Sequence, residues 1–492
     1  MIAENIFFFK NAALAHNKPL KIRKFAKNKK MLYNAKMPKS LSAKAKLLVL
    51  AISALFSLAL FSCQSAKRPR AKNLRLLFAG DIMAHTQNFS MADYSLIWAD
   101  IREQVSAADF SFANLESPVM EERPFESYPT FNMQPSYPAA ALDAGFNLIS
   151  LANNHSNDQG SQGIKATALW AAQIEKACHS RAHADCHSRA PTRESFDKQI
   201  AGSSPAMTAS QAQKAASQTE SKPQTRAQTK SEGKPKTRVQ KQSAKPKGAP
   251  RARPVFFSGL TEDGQMSFRE FFWHEYKIAF VAVTELLNTW KNYEEINYVP
   301  PTKKGRAAFV QKIAGIKEEH EPDLFIVSVH TSEEEYVLTV LPEVQAFYRA
   351  LLDAGADIVV SNHPHVVRPV ELVAEKDTKK IRKVIIYANG NTISGQRRAL
   401  NYDDPNEIWN YTGDGQIVEL EMALDEKGFF ALNYKKSFIS AYTPQGERSP
   451  VIKRLDENFI HSLRENGEKK NSRYYEARLE ALKKIKEIWT WR

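Results

Sequence analysis

Five apolar runs, spread over almost three hundred residues, each end in side chains of the kind that hold metals. Leu74–Ala79 leads into Gly80-Asp81 and His85, Phe110–Ala113 into Asn114-Leu115-Glu116, and Leu148–Ala152 into Asn153-Asn154-His155. Leu324–Val329 leads into His330, and Ile358–Ser361 into Asn362-His363-Pro364-His365. A strand that ends in a carboxylate, carboxamide or imidazole can present that group over the carboxyl edge of a sheet, where several strand ends converge on one cleft. The pattern therefore constrains the chain to an α/β fold with its polar groups gathered at one edge, and it reads as a metal-centred active site.

The helix-like segments fit between these runs. Tyr94–Ala107, Pro138–Ala144 closed by Gly145, Ile164–Lys176, Gly305–Glu319 and Pro342–Ala354 ended by Gly355 carry helical patterning. Lys277–Val283 and Val384–Ala388 read as further buried strands, and Gln416–Leu424 and Gly428–Tyr442 as meander strands. Tyr474–Trp491 reads as a terminal helix with Leu479, Leu482, Ile485 and Ile488 on one face. Strand, helix, strand in this order argues for layered α/β architecture with crossover units.

The net charge of +15 suggests an anionic partner until it is divided by segment. Residues 1–73 carry 16 Lys/Arg against one acidic residue and residues 177–253 carry 16 against 5, so the rest of the chain is net negative by 11. A nucleic-acid groove does not suit an acidic folded part, so no nucleic-acid partner is expected. Residues 177–253 lack hydrophobic periodicity and are rich in Lys, Gln, Ser, Thr, Ala and Pro, which predicts a disordered basic insertion. Its short repeat around Cys178 and Cys186 gives Cys and His by duplication, with the cysteines farther apart than zinc sites usually bring them.

Leu47–Phe61 has the length of a signal-peptide apolar core and is preceded by Lys39, Lys44 and Lys46. It ends in Leu60-Phe61-Ser62-Cys63, which resembles the lipobox of bacterial lipoproteins, so Cys63 is expected to carry the lipid. Residues 1–62 are then the signal peptide, with Met37 as the expected true start, and 63–73 a linker.

Taken singly, the motifs have bland alternatives: Gly80-Asp81 a structural turn, Asn154 a cap beside a satisfied His155. Glu116 has two oxygens with which to bridge two cations, and Asn154 a carboxamide oxygen to ligate while His155 stays free for acid–base work. His363-Pro364-His365 is the strongest element, because residues two apart in an extended segment face the same side and proline stiffens the spacing. His330 ends a long buried run. Together these residues occupy successive strand ends, which the single alternatives do not explain.

Gly-Asp, Asn-Leu-Glu-Ser, Asn-Asn-His-Ser-Asn-Asp, a strand-end His, Asn-His-Pro-His and Tyr387-Ala388-Asn389-Gly390-Asn391 resemble the motif series of the CapA-type capsule synthesis proteins. That family, associated with poly-γ-glutamate capsules, is a branch of the calcineurin-like metallophosphoesterase superfamily, and the similarity covers about residues 74–176 and 254–395. The resemblance implies a four-layer αββα sandwich of two mixed sheets, formed by residues 74–176 and 254–450, with 451–492 as a C-terminal helical extension. It further implies two divalent metal ions, the first held by Asp81, Glu116 and His365, the second by Glu116, Asn154, His330 and His363; such mixed oxygen and nitrogen ligation suits Mn, Fe or Zn better than Ca. His155 takes the place of the catalytic His, and Asn114 and Asn391 are further site candidates. His85 stands four residues after the Asp, where the superfamily places its first His two after. Where many members carry Trp-Gly after the fourth-block His, this chain has Thr331-Ser332 and then Glu333-Glu334-Glu335, read as a solvated helix start.

Two functions stay open on the sequence. One is an exported, lipid-anchored, metal-dependent hydrolase acting on an anionic surface polymer or its precursor. The other is a non-catalytic component that holds polymer or the subunits of a membrane synthase. A nucleotide phosphodiesterase of the same fold is a weaker third reading, disfavoured by export and the acidic core.

Overall fold

The computed structural model describes residues 73–184 and 253–492. The signal segment, Cys63 and most of the basic insertion, with Cys186, lie outside the described residues. Strands β1 (Leu74–Ile82), β2 (Phe110–Leu115), β3 (Leu148–Ser150) and β4 (Phe256–Ser258) run parallel as one arm in the order β4-β3-β2-β1. A second arm holds β5 (Arg269–Trp273), β6 (Tyr276–Thr284), β7 (Leu324–His330), β8 (Ile358–Asn362), β9 (Val370–Ala374) and β10 (Ile381–Ile386), with β6, β7, β8 and β10 parallel. The short β11 (Asn391–Ile393) joins β1. A long antiparallel hairpin, β12 (Asp414–Asp425) and β13 (Gly428–Tyr442), links the arms: β12 pairs with β1, and β13 touches β10 through Ile381 and Ala431.

Side-chain alternation explains the layering. Leu74, Leu76 and Phe78 of β1 share a core with Ile278, Phe280, Leu324, Ile326, Ile358 and Val360, so the two arms pack face to face. The alternate residues Leu77 and Ala79, and Ile82 beyond the register shift at the end of β1, pack outward against Val105 of α1 (Arg102–Ala107), Tyr137 and Ala141 of α2 (Ser136–Ala144) and Trp170 of α3 (Gly160–Ala184). On the far side Val281, Val283, Val327 and Val329 meet Phe309 and Ile313 of α4 (Lys303–His320) and Phe347 and Leu351 of α5 (Pro342–Asp353). Each fully buried large apolar side chain contributes about 1.5–3 kcal/mol. The expected four layers are present, and the two sheets are joined through the hairpin into one hydrogen-bonded path.

Local differences have local causes. The segment read as a single helix over Tyr94–Ala107 is a 3₁₀ turn, Tyr94–Trp98, followed by α1. Asp93 caps the turn at Ser95 N–H, and Asp100 in the break accepts the N–H of Arg454, while Ile97, Trp98, Ile101 and Val105 all turn inward. Helix α3 continues to Ala184, past the boundary drawn at 177. Gly145 ends α2 at φ +116°, where an added Cβ would lie 2.9 Å from Ser106 Cα.

The terminal helix is shorter than its apolar spacing suggests. After α6 (Glu457–Glu465), α7 (Lys469–Lys483) stops, and Ile488–Trp491 forms β15, parallel to β9. Pairing supplies partners to the open edge of β9, and Thr490 Oγ1 donates to buried Glu371 at 2.7 Å. The C-terminal region also adds β14 (Val451–Arg454) beside β13. Among the described residues, no helix is long and apolar enough to cross a membrane.

Candidate metal centre

The centre lies where β1, β2, β3, β7 and β8 end. Gly80 is required at the end of β1: an added Cβ would lie 1.8 Å from Gly390 O, so only glycine lets β11 approach and Asp81 N–H reach that carbonyl at 3.1 Å. Glu116 follows β2, its N–H held by Ile82 O at 3.0 Å, and His330 is the last residue of β7. His363 turns the chain off β8 with φ +94°, a left-handed conformation that costs a non-glycine residue roughly 1–3 kcal/mol.

Two groups of ligand atoms form, in each of which one atom per residue lies within 4.8 Å of the others: Asp81, Glu116 and His365, and Glu116, His330 and His363. Glu116 belongs to both. Its Oε1 lies 3.8 Å from His330 Nε2 and 3.8 Å from His365 Nε2, while Asp81 Oδ2 lies 3.3 Å from His365 Nδ1. Asn154 Oδ1 faces the same nitrogen of His330 at 2.8 Å.

The two remaining asparagine candidates brace this set. Asn114 Nδ2 donates to Asp81 Oδ1 at 2.9 Å and lies 3.4 Å from both Glu116 Oε2 and His330 Nδ1. Asn391 Oδ1 lies 3.0 Å from His365 Nδ1, and its Nδ2 donates to Thr412 O. His85 belongs to neither group. Its Nδ1 accepts the N–H of Gly395 at 3.0 Å and its ring stands edge-on to Phe131.

The electrostatics are those of a site that needs a cation. Burial and the neighbouring Asp81 push the Glu116 carboxyl well up, because two carboxylates enclosed together cannot both ionise cheaply. Burial, then the neighbouring imidazoles, holds His330 and His363 well below the usual histidine range, and His85 is lowered to about 3. Neutral imidazoles are the ligating form. Asp81 Oδ2, Glu116 Oε1 and His363 Nδ1 are buried without a hydrogen-bond partner among the described residues, an arrangement costing roughly 1–3 kcal/mol per atom unless something else binds them. These residues are able to bind a metal, and two carboxylates, three imidazoles and a carboxamide form the mixed oxygen and nitrogen set that divalent transition ions take.

Beside the centre, His155 Nδ1 lies 2.7 Å from Asp158 Oδ2 and 3.0 Å from Asn288 Nδ2. Phe131 presents its ring edge-on to His155 at 4.7 Å, and its N–H donates to Asp158. Asn288 Oδ1 also accepts from Asn154 Nδ2 at 3.2 Å. Sequence reading missed both polar partners. Asp158 was within reach, three residues after His155 in the same motif, whereas Asn288 follows the insertion with no local pattern to mark it. The Glu333–Glu335 run is not a solvated helix start: Glu333 is buried against Arg368 at 2.6 Å, and the next helix begins at Pro342.

Asp81, Glu116, Asn154, His155, His330, His363 and His365 are between 0% and 5% exposed. Outward from His365 stand the Tyr336 ring, 6.3 Å away, and then Trp409, 4.7 Å from Tyr336 and 51% exposed. A hollow of about 370 Å³ at the start of α4, lined by Tyr298, Pro300, Phe309 and Lys312 among others, shares no residue with the centre.

Residues 75–396 match the family model described as bacterial capsule synthesis protein PGA_cap. The capsule biosynthesis protein CapA of Bacillus anthracis is 28% identical over 139 residues, 28% of this chain and 28% of that protein. The PGA biosynthesis protein CapA of Bacillus subtilis (strain 168) is 29% identical over 122 residues, 25% of this chain and 27% of that protein. The matched segment thus spans little more than a quarter of either curated relative. Among solved structures, a phosphatase from Mycoplasma pneumoniae aligns over 75% of this chain and 94% of its own, with TM-score 0.36 and 11% identity. The calcineurin-like phosphoesterase YfkN from Bacillus subtilis aligns over 83% of this chain and 100% of its own, with TM-score 0.34 and 10% identity.

Proposed function

Because the chain belongs to the bacterial capsule synthesis family PGA_cap, we propose that it is an exported, lipid-anchored hydrolase of capsule or surface-polymer synthesis, working through a two-cation centre. The observation that carries this reading is the trio of buried, unpartnered ligand atoms on Asp81, Glu116 and His363, within two groups that share Glu116. Asp81, Glu116 and His365 would hold one divalent ion, and Glu116, Asn154, His330 and His363 the other. Bound there, such ions supply activation of water near neutral pH and neutralisation of charge on a phosphoryl or acyl oxygen.

The chain's own residues set the rest. Asp158 Oδ2 stands 2.7 Å from His155 Nδ1 and fixes the ring, which leaves Nε2 as the atom that would deliver a proton to a leaving oxygen or nitrogen. Asn288 stands between that ring and Asn154, its Nδ2 3.0 Å from His155 Nδ1 and its Oδ1 accepting from Asn154 Nδ2. Phe131 keeps water from one side of His155. The expected substrate is a phosphoester or a γ-linked amide in an anionic polymer or its precursor. Cys63 would anchor the chain to the membrane beside synthase subunits.

The enclosure of the centre favours a second reading, in which bound ions are structural and the fold holds polymer or a synthase subunit. One experiment separates the two. Metal-loaded protein is assayed on phosphomonoester, phosphodiester and γ-glutamyl amide substrates, beside a His155→Asn variant with the same metal content. Turnover lost in that variant supports the hydrolase, and no turnover on any of the three classes by fully loaded protein sinks it.

A further inference from the structure

Behind the centre, a buried ion pair joins two segments that reach the same imidazole. Arg368 lies three residues after His365 and is 1% exposed. Its Nη1 lies 2.6 Å from Glu333 Oε2, its Nε donates to Val337 O at 2.8 Å, and its Nη2 lies 3.5 Å from Glu334 O. The other carboxylate oxygen of Glu333 accepts the N–H of Leu341 at 2.8 Å. Residues 331–341 contain neither helix nor strand, so side-chain contacts such as these must give the loop its shape.

That loop returns to the centre. The carbonyl of Glu335 accepts the N–H of His365 at 2.9 Å, and the Tyr336 ring stands 6.3 Å from the His365 ring, tilted by 39°, its hydroxyl 3.5 Å from Gln396 Nε2. Arg368 is itself fixed to the sheet: its N–H donates to Ala388 O at 3.1 Å and its carbonyl accepts from Gln416 Nε2 at 3.0 Å. A buried guanidinium is costly to desolvate and replaceable by apolar side chains where only packing matters, whereas its rigid fork suits the holding of several acceptors in a fixed arrangement.

We infer that Arg368 is a positioning residue: with Glu333 it locks the 331–341 loop so that Glu335 and Tyr336 set the orientation of His365 in the centre. The inference rests on the reading of His365 as a metal ligand. It predicts an asymmetric effect, because His365 belongs to one ligand group and His330 and His363 to the other.

The test uses the full chain and two variants, Arg368→Lys and the double change Arg368→Met/Glu333→Leu, which removes both charges together. Two quantities are read: Mn or Zn affinity by competition with a chromophoric chelator, and hydrogen exchange of the His365 amide. The double variant is expected to fold with a far-ultraviolet spectrum like the parent's. Its His365 amide should exchange at least about tenfold faster, and one of two metal affinities should fall about tenfold or more while the other holds. Arg368→Lys keeps the charge without the fork and should fall between. A folded double variant with parental affinities and parental protection overturns the inference; if that variant does not fold, Arg368→Lys decides by the same readouts. A parent chain that binds no metal refutes the preceding proposal instead, and the exchange arm alone then decides whether Arg368 positions His365.

Discussion

Glu116→Gln separates what the shared carboxylate costs the fold from what it does for a cation. Glu116 is fully buried, its ligand oxygen lies within 4.8 Å of that of Asp81, and Oε1 has no donor. Two unit charges about 5 Å apart repel by about 3 kcal/mol at an effective dielectric near 20. The carboxyl avoids part of this by keeping its proton, hence its upward shift from burial and Asp81. Glutamine preserves the shape without the charge, so in chelator at pH 7.5 the variant should be more stable by about 2 kcal/mol, or roughly 3 °C at about 2.1 cal/mol/K per residue.

The sign with pH follows from linkage. Above about pH 4.3 the unfolded chain releases this proton while the folded chain retains it, so parental stability falls as pH rises from there toward the raised folded value. The variant's advantage is therefore absent near pH 4 and grows toward neutrality. Saturating Mn or Zn reverses the order, since a ligand at about 100 times its Kd stabilises by about 2.7 kcal/mol and the variant lacks the shared ligand. Denaturant unfolding of both proteins from pH 4 to 8, in chelator and in metal, measures all of this. A variant less stable than the parent in chelator at neutral pH, or an advantage that does not change with pH, would show that charge at Glu116 does not burden the metal-free fold.

His155→Asn should keep the parental metal content and lower turnover about 10²-fold or more, whereas Asp158→Asn should lower it less, with a shifted pH–rate profile, as steady-state assays will show. Arg478 and Asp414 form a fully buried pair at 2.8 Å, and Arg397 also reaches Asp414, at 2.9 Å. Arg478→Met leaves Asp414 with Arg397 as its one charged partner, beside the Ser440 hydroxyl that donates to it at 2.6 Å, and should cost about 3 kcal/mol in urea unfolding; a loss below about 1 kcal/mol would mean that Arg397 compensates.

Much of the layout is legible in the sequence because β1, β2, β7 and β8 are buried apolar runs that stop at a polar residue. Gly428–Tyr442 is a strand over the bounds its pattern predicts, since a Gly-started alternating run has few competing conformations. The spacing of His363 and His365 across a proline likewise leaves few ways to separate them. What escaped reading depends on distant partners. Ile488 fits the helical apolar stripe, yet the open edge of β9 draws it into a strand. Asn288 and Arg368 look like ordinary polar residues until the fold brings His155 and Glu333 to them. His85 lies near Asp81 in sequence, and its turn brings its Nδ1 to the N–H of Gly395, outside both ligand groups.

The two-cation centre is tested by the metal content of the purified full chain, after exposure to Mn and Zn and removal of loosely held ions. Two tightly bound divalent ions per chain are expected, lost in a folded His363→Ala/His365→Ala variant. A folded chain that retains no metal would contradict that expectation.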